Sequence, residues 1–87
     1  METIRVTLLI TEGCHYCAHA RQLLERLKGE WPLVVEEVPL DTPQGAASAL
    51  RDMIAFPPGV YLNGALFGYG RLSEGKLRRR LAELTGP

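Results

Sequence analysis

The stretch "TEGCHYCAHAR", Thr11 to Arg21, holds both cysteines of the chain, Cys14 and Cys17, with His15 between them and His19 beyond. Residues of these types at this spacing fit a redox dithiol, half of a metal site, or two small buried hydrophobes that lie close by accident. A four-donor reading, C-H-x-C-x-H, requires convergence on one tetrahedron. If the segment is helical, positions 15 and 19 lie on a different face from 17, so the four donors do not converge. His19 is therefore expected at the surface. His15 is left with two readings, a tuner of the adjacent thiols or a neutral neighbour. A single close cysteine pair is also not the multi-bridge framework of a small secreted domain, and in a reducing compartment such a pair does chemistry or binds metal.

The elements that position the pair follow from periodicity. "IRVTLLI", Ile4 to Ile10, is rich in β-branched residues and almost wholly apolar, which predicts an interior strand covered on both faces. Gly13 breaks it. From His15 to Lys28, Tyr16, Ala20, Leu23, Leu24 and Leu27 recur at helical spacing, and Gly29 supplies a stop. "LVVEEVPL", Leu33 to Leu40, predicts a second strand whose glutamates and Pro39 suit a sheet edge. Thr42 and Pro43 form an N-cap and N1 pair for a second helix, with Ala46, Leu50, Met53 and Ile54 expected to face inward. "FPPG" ends that helix, and "VYLNGALFGYG" reads as strand, Asn63-Gly64 type I′ turn, strand. Ser73 caps a last helix carrying Leu77, Leu81 and Leu84 on one face. Trp31 is expected to pack in the turn after the first helix, and Arg78 to Arg80 to form a solvated face near that last helix's end.

The order βαβαββα predicts an α/β fold. A right-handed crossover makes the first two strands parallel and the hairpin adds an antiparallel pair, giving a four-stranded mixed sheet with helices on both faces. Cys14 then falls in the turn at the start of the first helix and Cys17 one turn in, sharing a face with Ala20, Leu24 and Leu27. Cys17 should point to the core and Cys14 to solvent. The helix N-terminus, with its free amides and positive dipole end, stabilises an anion at Cys14, and a protonated His15 would add to this. Cys14 is thus the expected nucleophile, and Cys17 is placed to resolve a mixed disulfide by attacking it.

Composition narrows the partners. Eighty-seven residues make a single domain, 1–87, able to bury roughly 60 to 65% of its unfolded surface. Ten basic and ten acidic side chains cancel, which argues against a nucleic acid or an anionic membrane as partner. No apolar run approaches the roughly 20 residues of a membrane span, and the start of the chain has no secretory core, so a cytoplasmic location is expected.

On "TLLITEGCHYCAHARQLLERL" followed by "FPPGVYLNGALFG", the chain resembles the glutaredoxins, within the thioredoxin-like fold, over about residues 5 to 84. The resemblance implies Cys14 as nucleophile, Cys17 as resolving cysteine, Tyr16 as the tyrosine between them, and Pro58 as a cis-proline lying against the dithiol. It also implies Phe56, Pro57 and Arg71 as substrate-facing positions. An alternative register makes Pro57 the cis residue and Phe56 the donor to substrate; Pro58 is the preferred choice. Three departures from the family pattern bear on substrate. His15 replaces the usual proline after the nucleophile. Thr11 stands where a basic residue usually contacts glutathione, and Gly68-Tyr69-Gly70-Arg71 replaces the usual Gly-Gly and acidic residues. Pro57, before the cis-proline, has no N–H, so an extended substrate would lose one hydrogen bond worth roughly 0.5 to 1.5 kcal/mol.

The expectation is a monomeric thiol-disulfide oxidoreductase that binds no cofactor tightly and no metal. Its substrates would be protein disulfides or glutathione mixed disulfides, and its reductant either glutathione or a reductase protein. Two rivals from other classes are a Cu(I) carrier using both thiolates and, by family analogy, a carrier of an iron-sulfur cluster held with glutathione.

Overall fold

The structure is a computed structural model and describes residues 2–86; Met1 and Pro87, the ends of the expected domain, lie outside the described residues. The elements run β1 (Ile4–Ile10), α1 (His15–Leu27), β2 (Leu33–Pro39), α2 (Pro43–Arg51), β3 (Gly59–Leu62), β4 (Ala65–Tyr69) and α3 (Glu74–Thr85). This is the expected βαβαββα order. The sheet order is β2-β1-β3-β4, with β1 parallel to β2 and antiparallel to β3, and β3 antiparallel to β4. β2, with its glutamates and Pro39, is an edge strand, as its polarity predicts.

Local signals do what their chemistry dictates. Asn63 and Gly64 both have positive φ, 49° and 85°, and join Leu62 to Ala65 in the two-residue turn. The Asn63 side chain also accepts from the Arg5 N–H at 2.9 Å, fastening the turn to β1. Thr42 Oγ1 accepts from Gly45 N–H, and Ser73 Oγ from Lys76 N–H, so both predicted caps form. Beyond the turn, Phe67 is an extra residue in β4: Val60 pairs with Gly68 and Tyr61 with Leu66. This bulge adds local twist at the edge and seats Phe67 partly buried against the core.

The two sheet faces are filled differently. On one, α1 contributes Ala20, Leu23, Leu24 and Leu27, and α3 contributes Leu77 and Leu81, against Ile4, Val6, Leu8, Val60 and Leu62. The other holds a smaller cluster of Leu9, Val38 and Tyr61, with Leu40 and Ile54 packed against it. α2 corrects the sequence reading. Leu50 and Met53 are 83% and 82% exposed, Ala46 is exposed, and Met53 and Ile54 lie beyond the helix end. The reason is close approach: Gly45 is the buried residue of α2, and a Cβ there would collide with the Pro39 carbonyl. α2 therefore meets β2 through backbone, not through a row of large side chains. Leu84 is likewise 43% exposed, so α3 buries two of its three predicted leucines.

Arg78, expected on a solvated face, anchors α3. Its guanidinium donates twice to Glu30 (2.9 and 2.7 Å) and once to Glu74 (3.0 Å), and lies 5.7 Å from the Trp31 ring centroid. Arg78 thus ties α3 to the turn after α1, while Arg79 and Arg80 are exposed as expected. Among the described residues, no helix is long and apolar enough to cross a membrane.

Candidate active site

Gly13, with φ 70°, turns the chain out of β1 and delivers Cys14 as the N-cap of α1. An N-cap residue keeps extended backbone while its side chain accepts from the first free amides. Here the acceptor is sulfur: Cys14 Sγ receives the Cys17 N–H at 3.1 Å. Cys17, one turn in, is 0% exposed among the α1 residues that face the core, whereas Cys14 is half-exposed. The two sulfurs are joined as a disulfide with the Cα atoms 5.2 Å apart, within ordinary bridging range. One thiol of the pair is thus accessible and bonded to a helix amide; the other is sealed behind it.

The surroundings come from three loops. His15 and Tyr16 are exposed, their rings 6.0 Å apart. Thr11, Glu12, Gly13, His15 and Arg21 surround a hollow beside Cys14, and Arg21 is held across to β2 by Glu37 at 2.7 and 3.1 Å. Glu12 and Arg21 are therefore neighbours of the thiol that sequence reasoning did not single out; their position on either side of the motif was the available signal.

Pairing of Leu9 with Gly59 brings the start of β3 to the end of β1, so Pro58 lies at the same end of the sheet as the Cys14 turn. The Pro57-Pro58 bond is cis, the register preferred from sequence, and Pro58 is buried. Its carbonyl accepts from Gly70 N–H at 2.8 Å, which ties this loop to the segment after β4. Phe56 lies over Gly70, where a Cβ would strike its ring, and meets Tyr69 edge-on with centroids 5.4 Å apart. Gly70 is needed twice, for its φ of 78° and for the missing side chain. Phe56 remains 52% exposed. The Phe56-Tyr69-Gly70 cluster was not legible in sequence, since only the tertiary approach of two loops creates it.

Arg71 follows Gly70 and is exposed, sharing a hollow with His19, Leu72, Ser73 and Glu74. His19 is at the surface as expected, but it faces the Arg71 loop. Among the described residues no three His, Cys, Asp or Glu side chains form a cluster able to hold a metal ion. The structure thus does not bring Cys14, His15, Cys17 and His19 together as one set of ligands.

Behind Pro58, the Tyr61 hydroxyl donates to Asp52 at the C-cap of α2, and Arg51 donates to the same carboxylate. Hydrogen bonds from Arg51 and then Tyr61 hold the Asp52 carboxyl below its ordinary range; burial and then Asp52 push the Tyr61 phenol up. This network pins the end of α2 to β3 just before the chain enters the proline loop.

The chain matches no protein-family model. A probable thioredoxin of Archaeoglobus fulgidus is 25% identical over 83 residues, spanning 95% of this chain and 91% of that protein. A mutant thioredoxin from Halobacterium salinarum superposes with a TM-score of 0.69 at 17% identity, covering 97% of this chain and 76% of that one. Glutaredoxin 1 from Francisella tularensis gives 0.58 at 18% identity over 93% and 95% of the two chains. The likeness in structure establishes a thioredoxin-like fold. It extends to thioredoxins as well as to a glutaredoxin, so the narrower glutaredoxin resemblance is not singled out.

Proposed function

We propose that this protein is a thiol-disulfide oxidoreductase in which Cys14 is the nucleophile and Cys17 the resolving thiol. The observation that carries the reading is the inequality of the pair: Cys14 half-exposed with Sγ on a helix N-terminal amide, Cys17 fully covered and within disulfide reach. In the reduced protein the Cys17 N–H and the positive helix end would face a Cys14 thiolate, stabilising the form that attacks. The thiolate attacks one sulfur of a substrate disulfide; the other sulfur leaves as a thiolate and takes up a proton. Cys17 loses its proton and attacks Cys14 Sγ, releasing the second substrate thiol and closing the Cys14-Cys17 bond. Two electrons pass to the substrate. An external dithiol or two glutathione molecules must return them, from a reductase protein or the glutathione pool.

Pro58, Pro57 and Phe56 form the substrate-facing loop of this reading. An extended segment beside Cys14 can donate to the Pro57 carbonyl but finds no N–H there, so side-chain contacts with Phe56, Tyr16 and His15 take a larger share of recognition. Arg71, at the end of the Gly70 tie, is placed to meet a substrate carboxylate. The site acts on a protein disulfide or a glutathione mixed disulfide without a tightly bound cofactor, as a cytoplasmic monomer.

The test is disulfide reduction by wild type, Cys14→Ser and Cys17→Ser, fed alternately by glutathione with its reductase and by thioredoxin reductase. Cys14→Ser should abolish turnover, and Cys17→Ser should accumulate a mixed disulfide on Cys14. Full activity in Cys14→Ser would refute the assignment, and the donor that sustains wild-type turnover identifies the reductant.

A further inference from the structure

The balance of ten basic and ten acidic side chains hides an uneven distribution. Arg21, Arg26, Lys28, Arg51, Arg78 and Arg80 are each engaged by a carboxylate. Among the described residues, Arg5, Arg71, Lys76 and Arg79 have no such ion pair. Three of these four line one groove of about 490 Å³ between β4 and α3. Arg80 enters the same groove, 5.9 Å above the Phe67 ring, with its charge shared by Glu83. Four cations therefore face one carboxylate. The acids without an ion pair include Glu12 in the Cys14 turn, Glu36 in β2 and Asp41 just after it. Two of these lie toward the opposite edge of the sheet.

Two features say what the groove fits. β4 is the sheet's other edge strand, so its outer backbone groups have no strand partner and can pair with an extended chain. The groove also runs toward the dithiol end, because Arg71 follows Gly70, whose N–H is bonded to the Pro58 carbonyl. We propose that it docks an acidic, extended segment of a partner protein whose disulfide is engaged at Cys14. This deepens the oxidoreductase reading and rests on it. From Ser73 to Arg80 the helix rises about 10 Å, a length matched by roughly three extended residues. A short acidic run is therefore enough. A nucleic acid is the poorer occupant, because a chain of zero net charge offers no track along a phosphate backbone beyond these four side chains.

The probe is a fluorescein-labelled, cysteine-free peptide with about four consecutive glutamates, set against its glutamine counterpart and a single-stranded oligonucleotide of equal length. Fluorescence anisotropy is read on wild type, on Lys76→Glu/Arg79→Glu, and on the milder Lys76→Gln/Arg79→Gln. Wild type should bind the glutamate peptide about tenfold tighter than the glutamine peptide at low salt. The preference should shrink in the glutamine pair, and vanish in the charge reversal and in about 0.5 M salt. Equal binding of both peptides, no effect of either variant, or tighter binding of the oligonucleotide would overturn the proposal. So would a salt-sensitive self-association that the reversal abolishes, since the groove would then belong to a second copy. The peptide carries no thiol, so its binding does not depend on the dithiol. Failure of wild type to reduce a small neutral disulfide would fault the oxidoreductase reading separately.

Discussion

The two faces of the sheet hold the two halves of the candidate site by different means. α1, which carries Cys14 and Cys17, is pressed to the sheet by Leu23, Leu24 and Leu27, and α3 closes over the same layer with Leu77 and Leu81. The proline loop hangs from the opposite side, where α2 meets β2 through the backbone at Gly45 and the remaining cover is Ile54, Leu40 and the Asp52-Tyr61 bond. Burial of apolar area is worth roughly 25 cal/mol per Å², so the leucine layer dominates stability. The difference assigns roles. The sealed position of Cys17 depends on the thick face, and the placement of Pro58 and Phe56 depends on the thin one, whose contacts are few enough for local opening.

The largest expected effect is on the thick face. Leu24→Ala should cost about 2–5 kcal/mol in urea unfolding, by lost transfer energy and the cavity left behind, and should raise the reactivity of Cys17 toward alkylating reagents. A smaller loss would mean that this layer does not carry the fold. On the thin face, Gly45→Ala forces a Cβ into the Pro39 carbonyl and should cost about 1–3 kcal/mol, while amide exchange in α1 stays slow. Equal acceleration of exchange in α1 and α2 would erase the distinction between the faces. Tyr61→Phe, which removes one hydrogen bond, should cost about 1 kcal/mol and speed exchange at Ile54 and in the proline loop before it does so elsewhere.

The pH response has a defined sign. The Asp52, Glu30 and Glu74 carboxyls are held low by hydrogen bonds from Arg51, Arg78 and Arg78 respectively. Their contribution is therefore complete above the unfolded carboxylate value of about 4 and is lost as pH falls through the lower folded values. Urea midpoints measured across this range should fall on the acid side, and a flat profile would contradict these pairings. The smallest effect is expected at Leu50: Leu50→Ser should change stability by under about 0.5 kcal/mol, because the side chain packs against little.

Much of this contrast was visible in the residues themselves. Signals that act over a few positions were legible: Asn63-Gly64, the Thr42-Pro43 and Ser73 caps, and the leucine spacing of α1 all produce what their chemistry requires. The dithiol's inequality was legible too, since Gly13 leaves Cys14 in the turn before the helix while Cys17, one turn in, shares the face of Ala20, Leu24 and Leu27. What escaped depends on approach in space. Leu50 and Met53 carry a helical apolar spacing, yet Gly45 lets α2 come so close to Pro39 that smaller residues take the inner face. Arg78 reads as one of three equivalent arginines until the turn with Glu30 and Trp31 folds beneath it. The Phe56-Tyr69-Gly70 contact and the cationic groove each need two separated segments to meet, and no periodicity encodes that.

The central claim is that the fold makes two chemically similar thiols unequal, with Cys14 the nucleophile. Its most direct test is alkylation of the fully reduced protein with iodoacetamide across a pH series, with peptide mapping of each cysteine. Cys14 should be labelled first, at pH values where an ordinary thiol of pKa about 8.5 is mostly protonated, while Cys17 stays unmodified until the protein unfolds. Equal labelling of the two cysteines, or labelling of Cys17 ahead of Cys14, would contradict the account.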